Sequence, residues 1–272
     1  MNARLSPRRW SPLVVVASLI VAVFAVVMVA GDALAPMNPG HGELMDTALP
    51  PGGDHLLGTD ELGRDILSRV LAGTRDAIVG PIAVALAATL AGTALGLLAG
   101  FLGGWVDAVV MRCADFAYSL PVGLIAIVVV GVLGGGYPVA VGTLMVLAIP
   151  VDTRVVRGVV LTQRGLPYLE AAQVLGLRRS RIAVLHLLPN VLPTVVANCL
   201  LTFVYALVSL SALSFLGLGS PAGSPDWGRM LSENRTLLDV NPWASVTPAL
   251  LIVLVAVSVT ILGDRLLDRA TA

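Results

Sequence analysis

The residues in this chain best suited to chemistry are charged ones gathered in one polar interruption of apolar sequence, Arg164 to Asn190, which reads RGLPYLEAAQVLGLRRSRIAVLHLLPN. Glu170 is its only acid, and Arg178, Arg179 and Arg181 follow within a dozen residues. These types at these spacings do not make a bond-breaking site. The chain holds no HExxH, no GxSxG and no paired acids within an apolar run. His186 stands alone, as a helix-end contact rather than a base, and Cys113 and Cys199 are too far apart for metal-ligand spacing and read as buried thiols. All 17 basic residues are arginine, so the chain lacks the lysine that a phosphate-cradling P-loop requires. No catalytic, cofactor or metal site is expected, and any ATP hydrolysis must occur on another chain. What remains is a compact, charged surface, whether a solvated loop or a contact for another molecule.

The elements that must position this surface follow from local rules. Pro167 suits the first turn of a helix, and Gly176 is placed to end it. A second short helix is expected from about Arg178 to the residue before Pro189, giving a helix-turn-helix knob flanked by apolar runs of membrane length. Hydrophobic residues make up 57% of the 272 and charged residues 12%, about half the charged share of a soluble domain, with a mean hydropathy of +0.90. The chain is therefore expected to be an all-α polytopic membrane protein. A formal net charge of zero gives no support to nucleic-acid binding.

Six spans are predicted: Pro12–Ala30, Ala77–Leu102, Phe116–Leu133, Pro138–Val156, Val191–Leu216 and Trp243–Leu262. The first competes with a cleaved signal peptide ending at Ala33-Leu34-Ala35. Its apolar run is long for that, and Pro36 would follow the cut, so an uncleaved span is expected. Between Gly31 and Asp76 eight acids face three bases, whereas Val151 to Asn190 carries Arg154, Arg157, Arg164, Arg178, Arg179 and Arg181 against Asp152 and Glu170. The positive-inside rule puts the first segment outside and the second in the cytoplasm, with both termini inside. Three divisions follow: 1–76 (N-terminus, first span, and an external loop with an interfacial helix), 77–268 (the core of five spans with the knob at 164–190), and a tail at 269–272.

Smaller expectations concern side-chain pairing. Asp65 and Arg69 stand at i, i+4 in the favourable order, on an amphipathic helix expected to lie at the outer membrane interface. Gly92, Gly96, Gly100 and Gly104 recur every four residues and mark a face for close helix packing. In the short loop expected after the second span, Asp107 or Asp115 is expected to pair with Arg112. The middles of all six spans read as free of ionisable residues, which argues against a carrier driven by an ion gradient.

Three stretches resemble one family. Glu170, Ala171, Ala172, Gly176, Leu188 and Pro189 match the EAA loop of bacterial ABC-importer permease subunits, and Ile182, His186 and Asn190 narrow the resemblance to the dipeptide, oligopeptide and nickel permeases. HLLGTDELGRDILSR, with Gly58, Thr59, Asp60, Gly63, Arg64, Asp65 and Arg69, is similar to a second signature of those permeases. SFLGLGSPAGSPDWGRMLSENR, with Gly217, Gly219, Trp227 and Met230, is similar to the loop before their last span. The resemblance implies a type I ABC importer permease fold in a bacterial inner membrane. The knob would be a coupling helix in which Glu170, Ala171, Ala172, Gly176, Arg178, Arg179, Arg181, Leu188 and Pro189 dock on an ATPase. It further implies a second homologous permease, two ATP-binding-cassette domains that use ATP and Mg, an extracytoplasmic substrate-binding protein, and surrounding lipid. Peptide is the implied solute, with nickel or another small solute as the alternative. Residues 58–69 are expected either to help receive the binding protein or merely to anchor the next span, and Gly217 to Met230 to form either an external gate or a plain loop.

Overall fold

A computed structural model describes residues 11–119 and 121–270, with backbone alone at 170, 173, 180, 269 and 270. Residues 1–10, 120, 271 and 272 lie outside the described residues, the last two within the expected tail. Ten α-helices follow in order: α1 Pro12–Leu34, α2 Ile66–Leu102, α3 Gly104–Tyr118, α4 Val122–Val132, α5 Tyr137–Arg164, α6 Pro167–Val174, α7 Arg179–Ile182, α8 Leu188–Phe215, α9 Trp227–Glu233 and α10 Trp243–Ala270. Among the described residues there is no strand, only isolated bridges.

Five helical stretches are long and apolar enough to cross a membrane, and α3 with α4, bent by 78° between them, makes up to six. The expected third span is thus a broken one. Pro121 lacks the N–H that a continuous helix would need there, and it becomes the cap of α4. The expected loop at 103–115 is helical, as α3.

The interfacial helix expected near Ile66 is not separate, because α2 runs unbroken for 37 residues from Ile66 to Leu102. No proline stands between Arg69 and Ala77, and Gly73 is tolerated within the helix, so the hydrogen-bond ladder runs on where the polar stretch meets the apolar one. Asp65 caps this helix, its carboxylate accepting from the backbone N–H and the hydroxyl of Ser68 at 2.8 and 2.6 Å.

Helix α2 packs along α5, and the glycine face does this work. A Cβ on Gly92, Gly96 or Gly100 would lie 2.5 to 2.8 Å from atoms of Asp152, Thr153, Val156 or Val160. Gly104 lies beyond this contact and begins α3. Two apolar cores fill the bundle. One joins Ile66, Val70, Phe203, Leu207, Trp227 and Met230 across α2, α8 and α9; the other joins Val84, Val130, Leu144 and Leu210 across α2, α4, α5 and α8.

The bundle also holds a buried charge that the sequence reading placed at the end of a span. α5 continues past Val156 to Arg164, so Asp152 falls near its middle and is fully buried. The charges that suggested an earlier end are accommodated instead: Arg157 meets Asp107 at 2.6 Å and Arg154 binds Asp115, rather than either acid pairing with Arg112. Asp152 itself accepts from Thr89 on α2 at 3.0 Å and from Asn198 and Thr202 on α8 at 2.9 Å each, tying three helices together. The expectation of ionisable-free spans is corrected accordingly.

Candidate functional site

Two polar constructions occupy opposite ends of the bundle. The knob begins where α5 ends at Arg164. Helix α6 turns Leu169 and Ala172 inward onto Val156 and Val160 of α5 and Ile182, Leu187 and Val191 on the returning arm. Gly176 takes φ +74°, and past it the N–H of Leu177 reaches back to the carbonyl of Ala172, closing α6 as expected. Arg178 supplies the carbonyl that opens α7.

The second arm differs from the expectation. It does not stop before Pro189 but passes through a π-helical turn, Ala183–Leu187, straight into α8. Pro189 cannot donate to the carbonyl four residues back, and the wider turn absorbs the missing bond while the Asn190 side chain donates to the His186 carbonyl at 2.6 Å. The knob is therefore one piece with α5 and α8.

Its outer surface carries exposed Arg178, Arg179 and Arg181, with Ala171, Gly176 and Pro189 also exposed and Leu188 half-buried. The backbone of Glu170 lies in α6, and its side chain is outside the described residues. Beside the arginines stand four apolar side chains that sequence reasoning missed: Val174 at 88% and Leu175 at 78% exposure, and Val184 and Leu185 at 57% each. Both faces of α6 are apolar, so periodicity could not say which one the core would take. Exposed apolar side chains and arginines together on a knob packed onto two membrane helices are suited to docking another protein.

At the other end, residues 36–65 fold over the 217–241 segment, so two stretches read separately in the sequence form one lobe. Asp60 and Arg69 are fully buried at its centre. Asp60 accepts from Nε of Arg64 at 2.7 Å and lies 3.4 Å from Nε of Arg69, while Glu233 meets Arg64 at 3.2 Å and Arg69 at 3.4 Å. Arg64 and Arg69 both donate to the Gly223 carbonyl at 3.1 Å. The expected Asp65–Arg69 pair gives way to this network, because Asp65 is occupied by Ser68 and by His55 at 3.0 Å. Thr59 accepts from the Leu49 N–H at 2.8 Å, and Gly58 and Gly63, both at positive φ, press against the carbonyls of Leu49 and Glu43. Asn241 donates to Leu49, Leu57 and Thr59.

Trp227 and Met230 are fully buried; the indole N–H donates to the Val70 carbonyl at 3.0 Å, and its ring meets Phe24 edge-on at 5.9 Å. Gly219 packs on Ser214, and Gly217, at φ +80°, neighbours Arg229. These residues hold the lobe to α1, α2 and α8.

Burial opposes charge on Glu233, but the Gly223 N–H and the guanidiniums of Arg229, Arg69 and Arg64 outweigh it and hold the carboxyl below the usual glutamate range. A carboxylate lowered on folding stabilises the fold above its unfolded pKa and loses that contribution as pH falls through its folded value. In thermal unfolding of the purified chain, the gap between wild type and Glu233→Gln is expected to be widest near neutrality and to close below about pH 4. A gap constant across that range would remove Glu233 from the network.

Comparison with known proteins places the chain in consistent company. Residues 92–272 match the family described as binding-protein-dependent transport system inner membrane component. The chain is 38% identical to a glutathione transport system permease protein of Pectobacterium atrosepticum, over 80% of this chain and 72% of that one. It is 34% identical to a dipeptide transport system permease protein of Alkalihalophilus pseudofirmus, over 94% and 82%, and 33% identical to a probable D,D-dipeptide transport system permease protein of Escherichia coli, over 95% and 87%. Among solved structures, a chain of the inward-facing MetNI methionine ABC transporter superposes with a TM-score of 0.58, covering 75% of this chain and 96% of that one. At 19% identity this is a likeness of fold.

Proposed function

The chain belongs to the family of binding-protein-dependent transport system inner membrane components, and from that premise we propose that it forms half of the path by which an ABC importer carries peptides across a bacterial inner membrane. The single observation that carries the mechanical part is the knob's exposed arginines and apolar side chains on a unit packed against α5 and running without a break into α8. A cytoplasmic ATPase domain, which binds ATP and Mg, docks there through Glu170, Ala171, Gly176 and the three arginines, with Ala172 packed inward behind them, and a second ATPase domain docks on the knob of the partner permease. Leu188 and Pro189 carry the motion of that contact into α8. The excess of arginine at this end supports a cytoplasmic knob with both termini inside, and the acidic segment before Asp76 supports a lobe that faces out.

In this reading the lobe of residues 58–69 receives a substrate-binding protein, the Gly217–Met230 loop borders the outer mouth, and a second, homologous permease completes the path. Peptide is favoured over nickel because the relatives are named for glutathione and dipeptides. The test is to purify the assembled complex and measure uptake in vesicles. A second permease and two ATPase domains should copurify, and peptide uptake should require ATP and survive an uncoupler. Uptake that persists without ATP and collapses with the uncoupler would sink the reading.

A further inference from the structure

A cavity of about 590 Å³ opens on the side of the bundle between the α3–α4 break, α5 and α8, lined by Tyr118, Val122, Val151, Asn198, Thr202 and Tyr205 among others, with Asp152 in its wall. It lies near the middle of α5 and α8, where an ionisable group is costly and points to function. Asp152 there has three neutral hydrogen-bond donors, and among the described residues no cation pairs with it; Arg154, two residues on, is bound to Asp115. A carboxylate only accepts, so the Asn198 amide must turn its NH₂ toward Asp152. Its Oδ1 is then directed away from the acid, and it takes no hydrogen bond from any described residue.

An acceptor oxygen backed by a carboxylate is suited to a group that donates hydrogen bonds and carries positive charge; at the mouth the Tyr118 ring already carries the Arg154 guanidinium at 4.1 Å, and Tyr205 is exposed. Apolar walls with a few convergent polar atoms are the usual build of a small-molecule site. Resting on the peptide reading above, we infer that this cavity is where the subunit holds the free amino end of a passing peptide. Asn198 is the contact residue, and Asp152 is a positioning residue that fixes the Asn198 amide and supplies the negative field behind it.

The test uses the whole complex with its own partner subunits and binding protein, comparing uptake of a radiolabelled dipeptide with that of its N-acetyl derivative. The binding protein is common to all samples, so a change in the ratio of the two rates belongs to this chain. Asn198→Leu is expected to lower uptake of the free-amino form about tenfold and to bring the ratio toward one, while ATPase stimulation by the binding protein is kept. Asp152→Asn, which lets the amide turn over, should shift the ratio the same way and less. Should either variant fail to assemble, Asn198→Ser, smaller and still polar, gives the deciding ratio. A wild-type ratio in the assembled variants overturns the inference and leaves the peptide reading standing. Wild type that takes up neither form while its ATPase answers the binding protein overturns the peptide reading itself.

Discussion

Glu170→Lys is expected to abolish both solute uptake and stimulation of the partner ATPase, while the chain stays in the membrane with its partner permease. Glu170 is the only acid between Arg164 and Asn190, a stretch that already carries Arg178, Arg179 and Arg181. A groove that accepts this surface has to answer one negative and three positive charges in fixed places. Reversing the single acid sets like charge against like at that contact, which costs several kcal/mol at an interface and so suffices to undo a docking contact. Because α6 is anchored to the body of the protein by Leu169 and Ala172, folding should be spared. The measurement is ATP hydrolysis by the reconstituted complex with and without loaded binding protein. Normal stimulation in this variant would remove Glu170 from the docking surface.

The second large effect is on stability. Asp60→Ala leaves Arg64 and Arg69 sharing Glu233 alone, with the Arg69 side chain fully buried. Breaking a buried ion pair from one side costs about 3–5 kcal/mol, since the partner is left charged and dry. That is a large part of the stability of an ordinary domain. The variant should lose its cooperative thermal transition or show it at much lower temperature, and proteolysis should cut within residues 36–65 where the wild type resists. The transport assay should fail as a consequence of the lost lobe. An Asp60→Ala protein with wild-type melting and protease resistance would show that the network contributes nothing to the lobe.

Much of this arrangement was legible residue by residue. The places of the apolar runs were read, because the thickness of a bilayer sets how many apolar residues a span needs, but α2 begins before Ala77, α5 runs past Val156, α10 runs past Leu262 and the third run is broken near Pro121. α1 begins at Pro12 as expected, α6 ends at Gly176 as expected, and the glycine row from Gly92 to Gly100 packs on α5. Misreadings fell where a local signal was ambiguous or where the answer lay elsewhere in the chain. Arg154 and Arg157 looked like the end of a span, yet α5 runs on because Asp115 and Asp107 on α3 receive them. Leu175 looked no different from Leu169, though one is on the surface and the other is buried.

The sequence by itself determined that this chain crosses a membrane repeatedly, that it carries a charged knob between its fourth and fifth spans, and that it holds no phosphate-binding lysine. Each of these is a matter of composition, helical period or residue type within a short window. Only the tertiary structure decided that Arg69 belongs to Asp60 and Glu233 rather than to Asp65, that Trp227 and Met230 lie in a core with Ile66 and Val70, and that Asp152 is buried between three helices. Those pairings join residues up to about 160 positions apart. Charge and burial are settled by distance in space, which the packing of the bundle sets and no local pattern records.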